Sequence, residues 1–96
     1  MNITLERGAD AMKYFEYVNL ARQEYQTLLK MYPELSQLSA REMEVFSHLL
    51  SDKTLAEIAS ELYITYSSVH FHCKNIYKKL GISNRKQILI KYKELQ

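Results

Sequence analysis

The chain has very little of the residues that punctuate or cross-link a fold. Of its 96 residues one is cysteine, one is proline and two are glycine. A lone Cys73 excludes an intrachain disulfide. So few glycines and prolines leave few tight turns, which favours a helical chain. No apolar run approaches the roughly 20 residues that a membrane helix needs. The first residues do not resemble a signal peptide, so the expected place is the cytoplasm, with no membrane partner. No serine or cysteine nucleophile has a base set beside it. No glycine loop could cradle a phosphate, and no carboxylate pair is set in a pocket. These gaps argue against an enzyme and against a cofactor.

What is present is ordinary globular material. Hydrophobic residues make up 47% and charged residues 25%, which excludes a disordered chain. The length fits one small domain with an added helix. The charge is uneven although its sum is only +2. Residues 1–69 hold six Lys/Arg and ten Asp/Glu, whereas residues 70–96 hold seven Lys/Arg and one Glu. A basic C-terminal quarter on an acidic body suits an anionic partner on one face, or else is a solvated helix end.

Five helices can be read from periodicity and capping signals. The first runs from about Asp10 to Met31, with Tyr14, Val18, Ala21, Tyr25, Leu28 and Tyr32 recurring at spacings of four and three. Tyr32-Pro33 ends it, because a residue before proline is pushed from helical angles. Residues from Pro33 to Leu38 then read as a linker. Ser39-Ala40-Arg41-Glu42 is a capping box opening a helix to about Ser51, with Met43, Phe46 and Leu50 on one face beside Val45 and Leu49. Thr54-Leu55-Ala56-Glu57 is a second box, opening a short helix to Leu62. After a turn at Tyr63-Ile64-Thr65, a longer helix spans Tyr66 to Leu80 and stops at Gly81. The last helix spans about Asn84 to Leu95, apolar at Ile88, Leu89, Tyr92 and Leu95. Ala59 falls where the two middle helices must cross, a place that needs a small residue.

The helix from Tyr66 to Leu80 has two faces. At about 100° per residue, Val69, Cys73, Ile76 and Leu80 form one stripe suited to a core. Ser67, His70, Phe71, Lys74 and Lys78 lie opposite. Hydroxyl, imidazole, aromatic and ammonium groups together suit phosphates and base edges. His70, Phe71 and Lys74 are the candidate base contacts, with Phe71 placed for a thymine methyl. Lys53, Thr54, Ser67, Ser68, Lys78 and Arg85 are the candidate phosphate contacts. Lys53 and Thr54 stand where exposed N–H groups of a helix start favour an anion. Arg85 is equally suited to phosphate or to an acidic partner, and His72 to a backbone carbonyl or a phosphate. His70, His72 and Cys73 spread over more than half a helical turn, so no tetrahedral metal site forms from them.

Residues 38 to 95 resemble the LuxR-type (GerE-like) helix-turn-helix family. The matching stretches are Leu38-Ser39-Ala40-Arg41-Glu42-Met43-Glu44-Val45, Glu57-Ile58-Ala59, Leu62-Tyr63-Ile64-Thr65, Ser68-Val69-His70-Phe71-His72, Lys79-Leu80-Gly81-Ile82 and Asn84-Arg85. The resemblance implies an all-α, four-helix domain over residues 38–96, preceded here by one long amphipathic helix and linker over 1–37. It implies a bacterial transcriptional regulator that reads double-stranded DNA with its third helix in the major groove. It also implies a homodimer, with RNA polymerase or another regulator as further partners. The family's usual base readers fall on His70, Phe71 and Lys74. The family carries Lys or Arg where His70 stands, often Thr at Ser68, and a glycine in the loop holding Asp52 and Lys53. Promoter-reading sigma-factor modules resemble residues 38–80, but they do not need the helix that follows.

Two readings of the assembly stay open. The seam of the first helix packs either on its own domain or on a second subunit. The candidate dimer interface is Tyr14, Val18, Tyr25 and Leu28, alongside or in place of Ile88, Tyr92 and Leu95. Residues 1–37 are too short for a receiver or sensing domain, so the chain is a stand-alone regulator or a C-terminal piece of a longer one. The rival function is a protein-interaction module or antiactivator that keeps the fold and binds another regulator.

Overall fold

A computed structural model of the chain describes residues 22–96. The chain divides into two compact units, Met1–Pro33 and Glu34–Gln96. In the first, residues 22–31 are helical, with Tyr25 exposed and Leu28 and Leu29 half-buried. Tyr14, Val18 and Ala21, and the expected start near Asp10, lie outside the described residues. The described residues contain helices and no strand.

The second unit starts earlier than the linker reading allows. Pro33–Gln37 forms a 3-10 turn rather than a free connection. Leu35 is fully buried and Leu38 nearly so. Burying a leucine stabilises by about 1.5–3 kcal/mol, enough to order a short segment that has no capping signal. Four helices follow, labelled here α1 (Ala40–Leu49), α2 (Leu55–Leu62), α3 (Tyr66–Leu80) and α4 (Arg85–Lys91).

Both capping boxes form. The Ser39 amide donates to Glu42 Oε1 at 2.9 Å, and the Glu42 amide to Ser39 Oγ at 3.1 Å. The Thr54 amide donates to Glu57 Oε1 at 2.8 Å, and the Glu57 amide to Thr54 Oγ1 at 3.1 Å. Thr65 caps α3, accepting from the Ser68 amide at 3.0 Å. Asn84 caps α4, accepting from the Gln87 amide at 3.0 Å.

Helices α2 and α3 end in the same way. Ile64 N–H reaches back to the Ala59 carbonyl, and Ile82 N–H to the Tyr77 carbonyl. Each motif turns one residue into the left-handed region, Gly81 at φ 68° and Tyr63 at φ 57°. Glycine takes that angle freely, whereas tyrosine pays a steric cost.

The stripe Val69, Cys73, Ile76 and Leu80 is buried as its spacing predicts. It packs on α1 and α2, while α4 packs on α1. In α1 the buried residues are Val45, Phe46 and Leu49, whereas Met43 and Leu50 are only half-buried. The core face is thus turned slightly from the expected one. Ile58 and Ala59 are buried on α2. A leucine at Ala59 would overpack that crossing by about 1–3 kcal/mol.

The last helix is shorter than expected. It stops at Lys91, and Lys93–Leu95 continues as a 3-10 turn. Tyr92 leaves helical angles at φ −109°, ψ 33°. Its ring is fully buried, edge-on to Phe46 with centroids 5.1 Å apart. Its hydroxyl donates to Glu34 Oε2 at 2.7 Å. That bond is the leading cause of the lowered Glu34 carboxyl pKa. Tyr92 and Ile88 are both buried within this unit, so neither offers a surface to a partner, contrary to the interface expected from sequence. Period alone does not separate the core stripe of a short helix from an intersubunit seam. The exposed apolar residue of α4 is Ile90, with Leu95 half-buried.

Among the described residues no helix is long and apolar enough to cross a membrane.

Candidate nucleic-acid interface

Helix α3 is held by its two ends. At its start, Thr65 Oγ1 accepts the Ser68 amide and donates to Ser68 Oγ at 2.9 Å. At its end, Lys79 Nζ lies 2.7 Å from Glu42 Oε1 across the domain. Glu42 is only 5% exposed, which matters because an unpaired buried carboxylate would be costly. Burial pushes its carboxyl up. The bonds from Lys79 and Ser39 outweigh burial and hold it below the usual carboxylate range.

With its ends fixed, α3 shows one exposed face. Ser67, His70, Phe71, Lys74 and Lys78 are all exposed there, as the wheel predicts. Phe71 is 61% exposed, a large apolar ring with no core to enter. His70 stacks on Tyr66 with centroids 6.4 Å apart, which restricts the imidazole. Among the described residues neither the Lys74 nor the Lys78 ammonium makes a hydrogen bond or ion pair. Both ammonium groups are available to an anion.

His72 turns from this face. Its ring is edge-on to Phe71 with centroids 5.8 Å apart, and its Nδ1 is buried without a partner. The expected tie from His72 to a backbone carbonyl is not made through that atom.

Behind the face sit Cys73 and Tyr77. Burial raises both groups, Tyr77 to about 12; the neighbouring Cys73 adds to the rise at Tyr77, whereas the hydrogen bond with Tyr77 partly offsets the rise at Cys73. Neither ionises near neutral pH. Among the described residues no group of His, Cys, Asp and Glu is gathered to hold a metal ion.

Three candidate phosphate contacts differ from the sequence expectation in their surroundings. Arg85 points inward: its Nε donates to the Leu49 carbonyl at 3.1 Å and its Nη2 to the Ser51 carbonyl at 2.7 Å. Among the described residues it pairs with no carboxylate, but caps the carbonyls that α1 leaves unpaired at its end. Lys53 Nζ lies 2.9 Å from Glu61 Oε1 and 3.3 Å from His48 Nδ1. Ser68 is half-buried with its hydroxyl engaged by Thr65. Thr54 remains exposed at the start of α2.

The sequence reading missed Tyr63. It is 95% exposed, on the turn between α2 and α3. Its signal was a large aromatic in a two-helix turn, where no core position exists.

A short helix, a tight left-handed turn and a longer helix with an inner apolar stripe and an outer polar face define a helix-turn-helix domain. Comparison with known families narrows this class. Residues 36–92 match the family described as bacterial regulatory proteins, luxR family. The chain belongs to that family, a group of helix-turn-helix DNA-binding transcriptional regulators and not of enzymes. It is 47% identical over 53 residues to the spore germination protein GerE of Bacillus subtilis, covering 55% of this chain and 72% of that protein. It is 44% identical over 48 residues to the probable transcriptional regulatory protein NarL of Mycobacterium tuberculosis, covering 50% and 22% respectively. The transcriptional regulatory protein LiaR of Bacillus subtilis is 40% identical over 53 residues, covering 55% and 25%. The match thus spans most of the first relative and about a quarter or less of the other two.

Proposed function

We propose that this chain binds duplex DNA as a homodimer and regulates transcription, with α3 entering the major groove. The observation that carries the reading is the outer face of α3. Five polar or aromatic side chains are exposed there, and its two lysines are unpaired among the described residues. His70, Phe71 and Lys74 read base edges, with Phe71 against a thymine methyl. Thr54, Ser67 and Lys78 hold phosphates, with Ser68 in support; Arg85 is left out because its guanidinium braces α1.

Selection of bound sequences from random duplexes tests the reading. Lys74→Ala should cost roughly 1–3 kcal/mol on the selected site and relax preference there. Lys78→Ala should weaken all duplexes about equally. Equal losses for Lys74→Ala on selected and random DNA would show that Lys74 touches phosphate alone. If micromolar protein binds no duplex at low salt, the rival reading takes over. The exposed rings of Tyr63, Tyr66 and Phe71 would then form a surface for another regulator.

The dimer draws on Tyr25, Leu28, Ile90 and Leu95, since Ile88 and Tyr92 are core. Val18 and Tyr14 belong to the same proposed seam by sequence. Sedimentation of Val18→Glu with Tyr25→Glu checks the first-helix contribution, and Ile90→Glu checks that of α4. A folded monomer in either case assigns the interface, and a surviving dimer removes that helix from it.

A further inference from the structure

Lys53 immediately precedes the cap of α2, a place where a lysine would meet a phosphate. The structure gives its ammonium two acceptors instead. Glu61 Oε1 lies 2.9 Å away at the far end of α2, and His48 Nδ1 lies 3.3 Å away on α1. The same Glu61 oxygen stands 4.0 Å from His48 Nδ1. Lys74 and Lys78, on the neighbouring helix, have no such partner among the described residues. The side chains of Lys53 and Glu61 are 36% and 46% exposed, so water screens the pair and it can open.

We infer that Glu61 is a built-in competitor of DNA phosphate for Lys53, limiting how tightly this edge of the helix-turn-helix grips the duplex backbone. The inference rests on the DNA-binding reading above. A carboxylate and a phosphate offer an ammonium the same chemistry, an anionic oxygen at hydrogen-bond distance. Lysine is a flexible point charge and can exchange one for the other. While paired, Lys53 and Glu61 add no net charge at this edge. A phosphate that draws Lys53 away from Glu61 leaves behind a carboxylate that repels the backbone, and one that Lys53 meets while still paired gains only a shared charge. Phosphate contacts carry most of non-specific binding, so this pair lowers affinity for duplexes of any sequence.

The test measures duplex binding by the full chain across 50 to 200 mM salt, for the native protein and Glu61→Gln. One added phosphate contact per protomer, two per dimer, should steepen the log–log salt slope by about 1.8 and tighten binding roughly threefold or more at low salt. Lys53→Ala in the native background should cost less than Lys78→Ala. In the Glu61→Gln background it should cancel the gain. The inference is overturned if the native chain binds but Glu61→Gln changes neither affinity nor slope. It is also overturned if Lys53→Ala costs the native chain as much as Lys78→Ala does. That second arm substitutes a surface lysine only, so it stands even if Glu61→Gln folds poorly. Absence of binding by native and variant chains alike would instead remove the DNA-binding reading, and this inference with it.

Discussion

The two capping boxes use the same local device in different surroundings. In each, a hydroxyl and a glutamate three residues later exchange bonds with backbone amides. Glu42 also reaches Lys79 near the C-terminal end of α3, and it is buried. Glu57 is exposed, and among the described residues its hydrogen bonds go no further than Thr54. The first box locks the interface-bearing helix to the scaffold. The second shapes the start of a helix that ends at the exposed Tyr63. A four-residue motif therefore predicts a helix start, while its energetic weight is set by what approaches from elsewhere in the chain.

The sharpest way to break this comparison is Glu42→Ala. It removes a cap bond and leaves Lys79 without its partner. The expected loss is about 2–3 kcal/mol, at the lower end for a broken ion pair because Lys79 is partly exposed. Urea unfolding measures it, and a loss no larger than that of Thr54→Ala would erase the distinction between the boxes.

Acid should act through the same carboxylate. The folded pKa of Glu42 lies below that of an unfolded glutamate, about 4.3. Its contribution is therefore complete above that value and is lost as pH falls through the lower, folded one. Glu34 behaves likewise, through its bond from Tyr92. Unfolding followed from pH 6 downward should show the loss, and Glu42→Gln should blunt it. An acid transition unchanged by Glu42→Gln would assign the effect to the other carboxyls held low, Glu34 and Glu57.

Thr54→Ala comes next, at about 1 kcal/mol for a lost cap. Its melting shift should be clearly smaller than that of Glu42→Ala. The smallest effect belongs to Glu57→Gln, which keeps the cap oxygen and faces solvent. No resolvable change in melting temperature is expected. A large drop there would mean that Glu57 has a partner that its exposure does not suggest.

The local signals were legible in the sequence. Both boxes, the Gly81 stop and the Val69–Cys73–Ile76–Leu80 stripe need only neighbours within a few turns, and each stands where its spacing places it. The outer face of α3 follows from the same wheel. What escaped depends on distant residues. Arg85 meets carbonyls near position 50, and Tyr92 meets Glu34. No periodicity encodes those meetings. Leu35 and Leu38 look like linker because two leucines beside a proline make no helical pattern, yet a core accepts them one at a time. Tyr63 holds a left-handed angle without the glycine or asparagine that usually announces it.

The single thiol gives this domain an internal clock. Cys73 is 3% exposed in the middle of α3, and burial keeps it protonated. Thiolate is the form that reacts with electrophiles. A thiol reagent in solution must therefore wait until α3 lifts from α1 and α2. With no second cysteine in the chain, the labelling rate reports that one opening event, without any engineered probe. The helix that presents the proposed recognition face thus carries its own reporter of how often it leaves its seat.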